Sequence, residues 1–196
     1  MISAVAFLAV GAAACAAAIA AIFATVDVYY LSGARAVADD GLPRGSRVPG
    51  WSRPDSGGRP LRSPPRAGFQ LIVFADHSLK SFPSVADGLR ALAAAGAGPQ
   101  IVVLTRQEDS LTRPVLDALG LADVPVVTGS GALYGKYNVR VMPFMIFTDA
   151  AGRVRASSLV NHAWQVDRLW RLAQVPPGAG DRPAVRAGRR PAGLAR

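Results

Sequence analysis

The stretch YNVRVMPFMIFTDAAGRVRASSLVN, from Tyr137 to Asn161, decides the fold of this chain. Its four apolar residues FMIF predict a buried strand, the turn DAAG follows, and VRASSL predicts a second strand. Because the turn is short, the two strands should form an antiparallel hairpin. Pro143 stands directly before FMIF. Since proline cannot donate to a sheet ladder, we expect it at the first position of this strand.

Strands and helices alternate upstream of this stretch. The apolar runs FQLIVFA (69–75), IVVLT (101–105) and VPVV (124–127) predict strands, and GSGALYGKY predicts a loop and a helical turn. A helix should begin near Phe82, with Pro83 in its first turn, and a shorter helix should surround Pro114 to Leu119. Strands alternating with helices indicate a βαβ core with parallel pairing, and hence a small α/β sandwich.

A last helix should follow the hairpin. Asn161 is expected to cap it, and its apolar face should consist of Val166, Leu169, Trp170 and Ala173.

The element order and the quoted stretch resemble the thioredoxin-like fold, over about residues 67–173. Within that fold they resemble the membrane-anchored TlpA type and, nearer still, the thioredoxin-like protein of methylamine-utilisation clusters (MauD type). The resemblance implies that Pro143 is a cis-proline beside the active site. It also implies that Met142 offers its backbone N–H and C=O to an extended peptide. The residues that carry the resemblance are Tyr137, Val139, Pro143, Asp149, Gly152, Val154, Ala156, Leu159, Val160 and Asn161.

The family's Cys-x-x-Cys motif is missing. One register places Leu79-Lys80-Ser81-Phe82 at the motif, and the neighbouring register places Ser78 and Ser81 at the two cysteine positions. Cys15 is the only cysteine in the chain. Because disulfide exchange needs a thiolate that attacks sulfur, serine cannot replace it, and the ordinary thioredoxin mechanism is excluded. We expect Leu79, Phe82, Met142 and Pro143 instead to line a partly exposed apolar groove for a partner segment.

Other catalytic and binding patterns fail on spacing. Asp76-His77-Ser78 has the residue types of a hydrolase triad, but consecutive side chains diverge, and His162, the only other histidine, is expected at a helix N-terminus. The glycines of GSGALYGK match neither a phosphate-binding loop nor a dinucleotide fingerprint. No set of metal ligands appears, so we expect no catalytic residue, no metal and no cofactor.

The chain is expected to carry one membrane-spanning helix. Residues 2–26 hold no charge and exceed the roughly 20 residues that a spanning helix needs. A cleaved signal peptide is the alternative, but no Lys or Arg precedes the run. A lipoprotein site at Cys15 is disfavoured because apolar residues continue beyond it. The resemblance implies that the globular domain is extracytoplasmic, whereas Arg35 and Arg44 after the run favour the opposite orientation.

The net charge of +9 belongs mostly to the flanks of the chain. Residues 176–196 hold five Arg against one Asp, and residues 67–175 hold ten basic against eight acidic residues. No aromatic residues interleave the arginines of the tail, so we expect no nucleic-acid partner. The expected layout is an anchor (1–31), a Pro/Gly/Arg-rich linker (32–66), a thioredoxin-like domain (67–175) and a disordered basic tail (176–196).

Two functions follow. The first is a non-catalytic module that binds an extracytoplasmic protein partner or supports its maturation. The second is an accessory member of a thiol-disulfide pathway, of the methylamine-utilisation kind that the resemblance implies, which relies on a partner's cysteines.

Overall fold

The computed structural model describes residues 40–75, 80–96 and 98–176 of the chain. A central sheet with helices on both faces makes up this part of the molecule. Its elements, in chain order, are β1 (Trp51–Pro54), β2 (Pro60–Ser63), β3 (Phe69–Phe74), α1 (Phe82–Ala94), β4 (Gln100–Leu104), α2 (Asp109–Ala118), β5 (Val126–Val127), α3 (Gly131–Lys136), β6 (Phe144–Asp149), β7 (Val154–Leu159) and α4 (Ala163–Gln174).

The central sheet has five strands in the order β5-β4-β3-β6-β7. Strands β3, β4 and β5 are parallel, whereas β6 runs antiparallel to both β3 and β7. The predicted βαβ core and the predicted C-terminal hairpin are therefore confirmed. The hairpin turns at Gly152, whose φ of 71° lies in the left-handed region that glycine adopts without steric penalty.

Helices α1 and α4 cover one face of the sheet. Phe82, Val85 and Leu89 of α1 pack with Val166 and Leu169 of α4 in one apolar cluster. The two helices approach so closely at Gly88 that an added Cβ would lie 2.7 Å from Val166 Cγ2. Apolar residues at helical spacing therefore form the buried faces of both helices, and the apolar face predicted for α4 is confirmed.

The opposite face of the sheet is covered by α3 and the β1–β2 hairpin. Ile72, Phe74 and Phe144 pack there with residues outside the sheet, among them Val48, Leu61, Leu133, Tyr134 and Tyr137. The hydroxyl of Tyr137 accepts a hydrogen bond from Trp51 Nε1 at 3.1 Å and donates one to the Pro49 carbonyl, also at 3.1 Å. Burial raises the pKa of this hydroxyl, which therefore stays neutral and can both donate and accept.

The predicted linker is wrong for the part of it that the structure describes. Residues 40–66 are folded onto the domain, and within them β1 and β2 pair antiparallel from Trp51↔Ser63 to Pro54↔Pro60. The segment before β1 lies beside the turn that leads into β7. There, Val48 N–H donates to the Gly152 carbonyl at 2.8 Å. The composition suggested too little apolar surface for order, but these backbone bonds and the burial of Leu61 hold the segment in place.

Smaller differences concern element ends. Helix α2 begins at Asp109, five residues before the predicted start at Pro114, and VPVV forms a strand only at Val126–Val127. The N-cap of α4 is His162, not Asn161. Both residues donate their backbone N–H to Gln165 Oε1, at 2.7 Å from Asn161 and 3.0 Å from His162. The side chain of Gln165 thus satisfies the helix start that Asn161 was expected to cap.

None of the helices in the described part of the chain is long and apolar enough to cross a membrane. The predicted anchor, residues 1–31, lies outside the described residues, as do residues 177–196 of the predicted tail.

Candidate functional site

The candidate site lies at the sheet edge where β3 and β4 end and β6 begins. The register pairs Phe74 with Phe144, so Pro143 stands next to Ala75 at this edge. The N–H of Ala75 donates to the Leu104 carbonyl at 3.2 Å, which continues the pairing with β4 by one residue. The segment expected to replace the cysteine motif therefore leaves the sheet directly beside Pro143.

The Met142–Pro143 peptide bond is cis, as the resemblance implies. Pro143 is buried and lies directly before β6 rather than at the expected first position of the strand, and its carbonyl accepts a hydrogen bond of 3.0 Å from Val160 N–H. Met142 is half-buried and packs against the cluster that contains Phe144 and Ile146. Its own N–H and C=O form no hydrogen bond with another residue in the described part of the chain. The N–H and C=O of Met142 are thus both unpaired within the described part of the chain.

The positions of the missing motif divide into three groups. Ser78 and Leu79 lie outside the described residues, together with Asp76 and His77. Lys80 is exposed, and Ser81 is the half-buried N-cap residue of α1, where its carbonyl accepts from Val85 N–H at 3.2 Å. None of these side chains carries sulfur.

Phe82 does not line the predicted groove. It is fully buried, with 0% of its surface exposed, in the cluster between the sheet and helices α1 and α4. Met142 belongs to the cluster on the opposite face of the sheet. The predicted place of Phe82 in a partly exposed groove is therefore wrong, because the first residue of α1 turns its ring into the core.

The segment that failed as a phosphate loop has a structural role at the same edge. Ser130 is buried, and its hydroxyl donates to the Thr105 carbonyl at 2.8 Å. The hydroxyl of Tyr134 donates to the Leu104 carbonyl at 2.8 Å and lies 3.3 Å from the Ala75 carbonyl. The three carbonyls lie at the C-terminal ends of β3 and β4. The hydrogen bonds therefore hold α3 and its N-cap residue against the ends of both strands.

Basic side chains surround this edge, and the sequence alone did not indicate them. The guanidinium of Arg106 lies 4.3 Å from the ring centre of Tyr134 and is exposed on its other side. Arg140 is exposed and lies 3.5 Å from a carboxylate oxygen of Asp40, whose side chain is only 4% exposed. No motif links these residues, since each contact joins segments far apart in sequence.

The chain also reaches this edge from its N-terminal side. Gly41 N–H donates to the Asn138 carbonyl at 2.8 Å, and a Cβ at Gly41 would lie 2.5 Å from the Phe144 ring. The segment that precedes β1 is thus packed against Phe144, the first residue of β6. Among the described residues, no group of three or more His, Cys, Asp or Glu side chains is placed to hold a metal ion.

Comparison with known proteins identifies the fold. No family model and no curated protein sequence matches the chain. A putative thiol:disulfide interchange protein DsbE from Chlorobium tepidum aligns with 67% of this chain and 95% of its own, at a TM-score of 0.58 and 18% identity. The thioredoxin domain of a thiol-disulfide oxidoreductase from Bacteroides vulgatus aligns with 66% of this chain and 99% of its own, at a TM-score of 0.56 and 15% identity.

StoA from Bacillus subtilis is also similar, with a TM-score of 0.52 and 14% identity over 62% of this chain and 96% of its own. At these identities the likeness concerns the fold alone. The chain has a mixed α/β thioredoxin-like fold, and it contains a single cysteine.

Proposed function

We propose that this chain is a membrane-anchored thioredoxin-like protein that binds an extended segment of a partner protein and performs no dithiol chemistry. The observation that supports this is the backbone of Met142. Its N–H and C=O stand directly before the cis-proline and make no hydrogen bond with another described residue. An extended peptide that pairs with them would gain main-chain bonds of the kind that strand addition uses.

The side chains around Met142 suit such a segment. Val141 is 37% exposed and Met142 is half-buried, so an apolar side chain of the peptide has a surface to contact. Methionine adapts its shape to different neighbours, which favours binding of varied sequences. The groove that we propose is formed by Val141 and Met142, whereas Pro143 and Phe82 are both buried and form no part of its surface.

The composition argues against dithiol chemistry. Disulfide exchange proceeds through a thiolate and a mixed disulfide, and the motif positions 78–82 hold no cysteine. Cys15 lies in the apolar run of residues 2–26, which we propose as the membrane anchor. Binding through backbone groups needs no sulfur, so it can persist where the redox reaction is lost.

We place the folded domain outside the cytoplasm, as the resemblance to the TlpA and MauD types implies. Alkaline phosphatase and fluorescent protein fused to the C-terminus test this orientation. Phosphatase activity is expected, and a fluorescent but phosphatase-inactive pair of fusions would reverse it.

The second function, accessory membership of a thiol-disulfide pathway, is favoured by one finding. Solved structures of the same fold include proteins described as a thiol-disulfide oxidoreductase and a thiol:disulfide interchange protein. In this case the bound segment would carry the cysteine pair that this chain lacks. A cysteine pair found within the bound segment would support this second function over simple binding.

A crosslinking experiment tests the groove. A photo-activatable amino acid replaces Val141 in the full chain in its native membrane, and adducts are identified by mass spectrometry. We expect an adduct with an extended segment of another protein, and its loss in a Met142→Asp variant. Leu111→Asp is the matched control, because Leu111 is 60% exposed on α2, a helix that contributes no residue to the proposed groove. An adduct that forms equally well in the Met142→Asp variant would remove the groove from the binding site.

A further inference from the structure

The outward face of α4 is apolar to an unusual degree. Five large apolar side chains in the described part of the chain are exposed, and three of them belong to α4 and its C-cap: Trp164 at 58%, Leu172 at 44% and Val175 at 51%. Steps of three, four and eight residues place side chains on one face of a helix. The same face also carries Arg168 and Arg171, both exposed. The inner face of α4 is occupied by Val166, Leu169 and Ala173, so this outer face has no role in the core.

A cleft opens between this face and β7, the edge strand of the sheet. Its volume is about 320 Å³, and the residues that line it include the exposed Trp164, Arg168 and Leu172 of α4 and Ser157 and Ser158 of β7. Such a volume is at the lower end of the range for small-ligand sites, about 300–1,000 Å³. Arg168 lies between the exposed Trp164 and Leu172 on this face, an arrangement that suits a ligand that is anionic in the middle and apolar at its sides.

Positive charge dominates the surroundings of the cleft. Arg168 forms no ion pair within the described part of the chain, whereas Arg171 is paired with Asp167 at 2.9 Å. At the C-terminal end of α4 the Val175 carbonyl accepts hydrogen bonds from Arg44 at 3.3 Å and Arg155 at 2.8 Å. Residues 177–196, which continue from this end, contain five Arg and one Asp. Asp167, the only acidic side chain on α4, is thus paired with Arg171, and Arg168 is the charged residue of this helix that has no ion pair among the described residues.

We propose that the outer face of α4 lies on an anionic phospholipid surface. Trp164 and Leu172 enter the boundary between headgroups and acyl chains, and Arg168 contacts a headgroup phosphate at the cleft. Tryptophan favours this boundary because its ring is apolar and its N–H is polar. The combination of Trp, Leu and Arg on one helix face is typical of helices that lie in the plane of a membrane surface.

This proposal rests on the proposed membrane anchoring, which would keep the domain near lipid. A protein partner is the less favoured occupant, because the basic charge extends beyond the apolar face into the tail rather than ending at its rim. The dependence of binding on lipid charge therefore distinguishes a phospholipid surface from a protein partner.

Quenching by brominated lipid measures the contact. The full chain is placed in nanodiscs of phosphatidylcholine, with or without phosphatidylglycerol, that contain acyl-brominated lipid. The chain has three tryptophans, so the parent is compared with Trp164→Phe to isolate the signal of Trp164. We expect Trp164 to be quenched in the anionic discs and much less in the neutral discs. Arg168→Gln should lower the ratio of docked to undocked molecules about fivefold, the effect of one basic residue at an anionic surface.

Matched variants distinguish the face from general apolar contact. Leu172→Asp should abolish the quenching, whereas Leu111→Asp, at an exposed apolar residue of α2, should retain it. Absence of Trp164 quenching in anionic discs would overturn the proposal in favour of a protein or the chain itself as the occupant. Equal quenching in neutral and anionic discs would overturn the role of Arg168 and the headgroup.

A different result is expected if residues 2–26 do not anchor the chain in the membrane. An unanchored chain would be released by alkaline carbonate and would not enter neutral discs. Binding of that released chain to vesicles containing phosphatidylglycerol, again lost in Leu172→Asp, would still support the α4 surface. The crosslink at Val141 reports on the peptide groove, so it changes independently of all these outcomes.

Discussion

Phe82 shows how two readings of one residue compete. Its spacing with Val85 and Leu89 predicts a core position, whereas its place in the motif register predicted partial exposure. The structure agrees with the spacing, because the ring is fully buried between the sheet and α4. Apolar periodicity reports burial directly. A motif register transfers a position from another protein, and here that transfer failed.

Replacing Phe82 by alanine is expected to destabilise the fold strongly. The substitution removes a fully buried ring, and such changes lower the free energy of unfolding by about 3–5 kcal/mol. Urea unfolding of the full chain in detergent, followed by tryptophan fluorescence, measures the loss. Leu111→Ala is the control, because its exposed side chain should change the free energy of unfolding by no more than about 0.5 kcal/mol. A similar, small change for both variants would mean that Phe82 lies at the surface.

Secondary-structure elements were predictable where the signal is local. The apolar runs of β3 and β6, the short turn between β6 and β7, and the helical spacing in α1 and α4 were all read correctly from the sequence. Local patterns suffice there because each element buries a whole face of its own residues.

The β1–β2 hairpin was missed because its signal is not local. Its strands are rich in Pro, Ser and Arg, and only Leu61 and Ser63 are buried. Its order comes from contacts with distant residues, such as the bond from Trp51 to Tyr137. The composition suggested a linker because few of these residues are apolar. Composition carries no information on the hydrogen bonds that this segment forms with the rest of the domain.

Asp55 holds the turn of this hairpin and gives it a dependence on pH. Its carboxylate accepts from the backbone N–H and from Nε of Arg59, both at 2.7 Å. Burial alone would raise the pKa of Asp55, but these hydrogen bonds and the charge of Arg59 outweigh burial and lower it. A lowered folded-state pKa means that the carboxylate stabilises the fold above the ordinary aspartate value of 3.8. That stabilisation is lost as the pH falls below this value.

Asp55→Asn is therefore expected to be most harmful near neutral pH. Loss of the charged hydrogen bonds should lower the free energy of unfolding by about 1–3 kcal/mol at pH 7. The difference from the parent should shrink as the pH falls through 4 towards 3. Urea unfolding of both chains across this range measures it. A difference that stays constant with pH would show that the Asp55 carboxylate makes no charge-dependent contribution.

At the scale of the whole molecule, the chain combines a thioredoxin-like fold with a sequence that contains a single cysteine and no Cys-x-x-Cys motif. The cis bond between Met142 and Pro143 agrees with what the resemblance implies, and Pro143 lies one residue before the predicted position at the start of β6. The basic surroundings of that edge were not predictable, because the contacts from Arg106 to Tyr134 and from Arg140 to Asp40 arise only after folding. The outer face of α4 is a different case, because the apolar face predicted from the sequence already leaves Trp164 on the other side of the helix.

The whole molecule should accordingly fail as a disulfide reductase. Full-length chain in detergent is mixed with insulin and dithiothreitol, and precipitation of the reduced insulin B chain is followed by turbidity. We expect the rate with the chain to equal the rate in buffer alone, because a serine hydroxyl cannot form a mixed disulfide. A Cys15→Ser variant serves as the control for the single cysteine. A rate above buffer that disappears in this variant would assign the reaction to Cys15. A rate that survives in the variant would mean that a reducing group other than cysteine acts in this fold, and the proposed function would then be wrong.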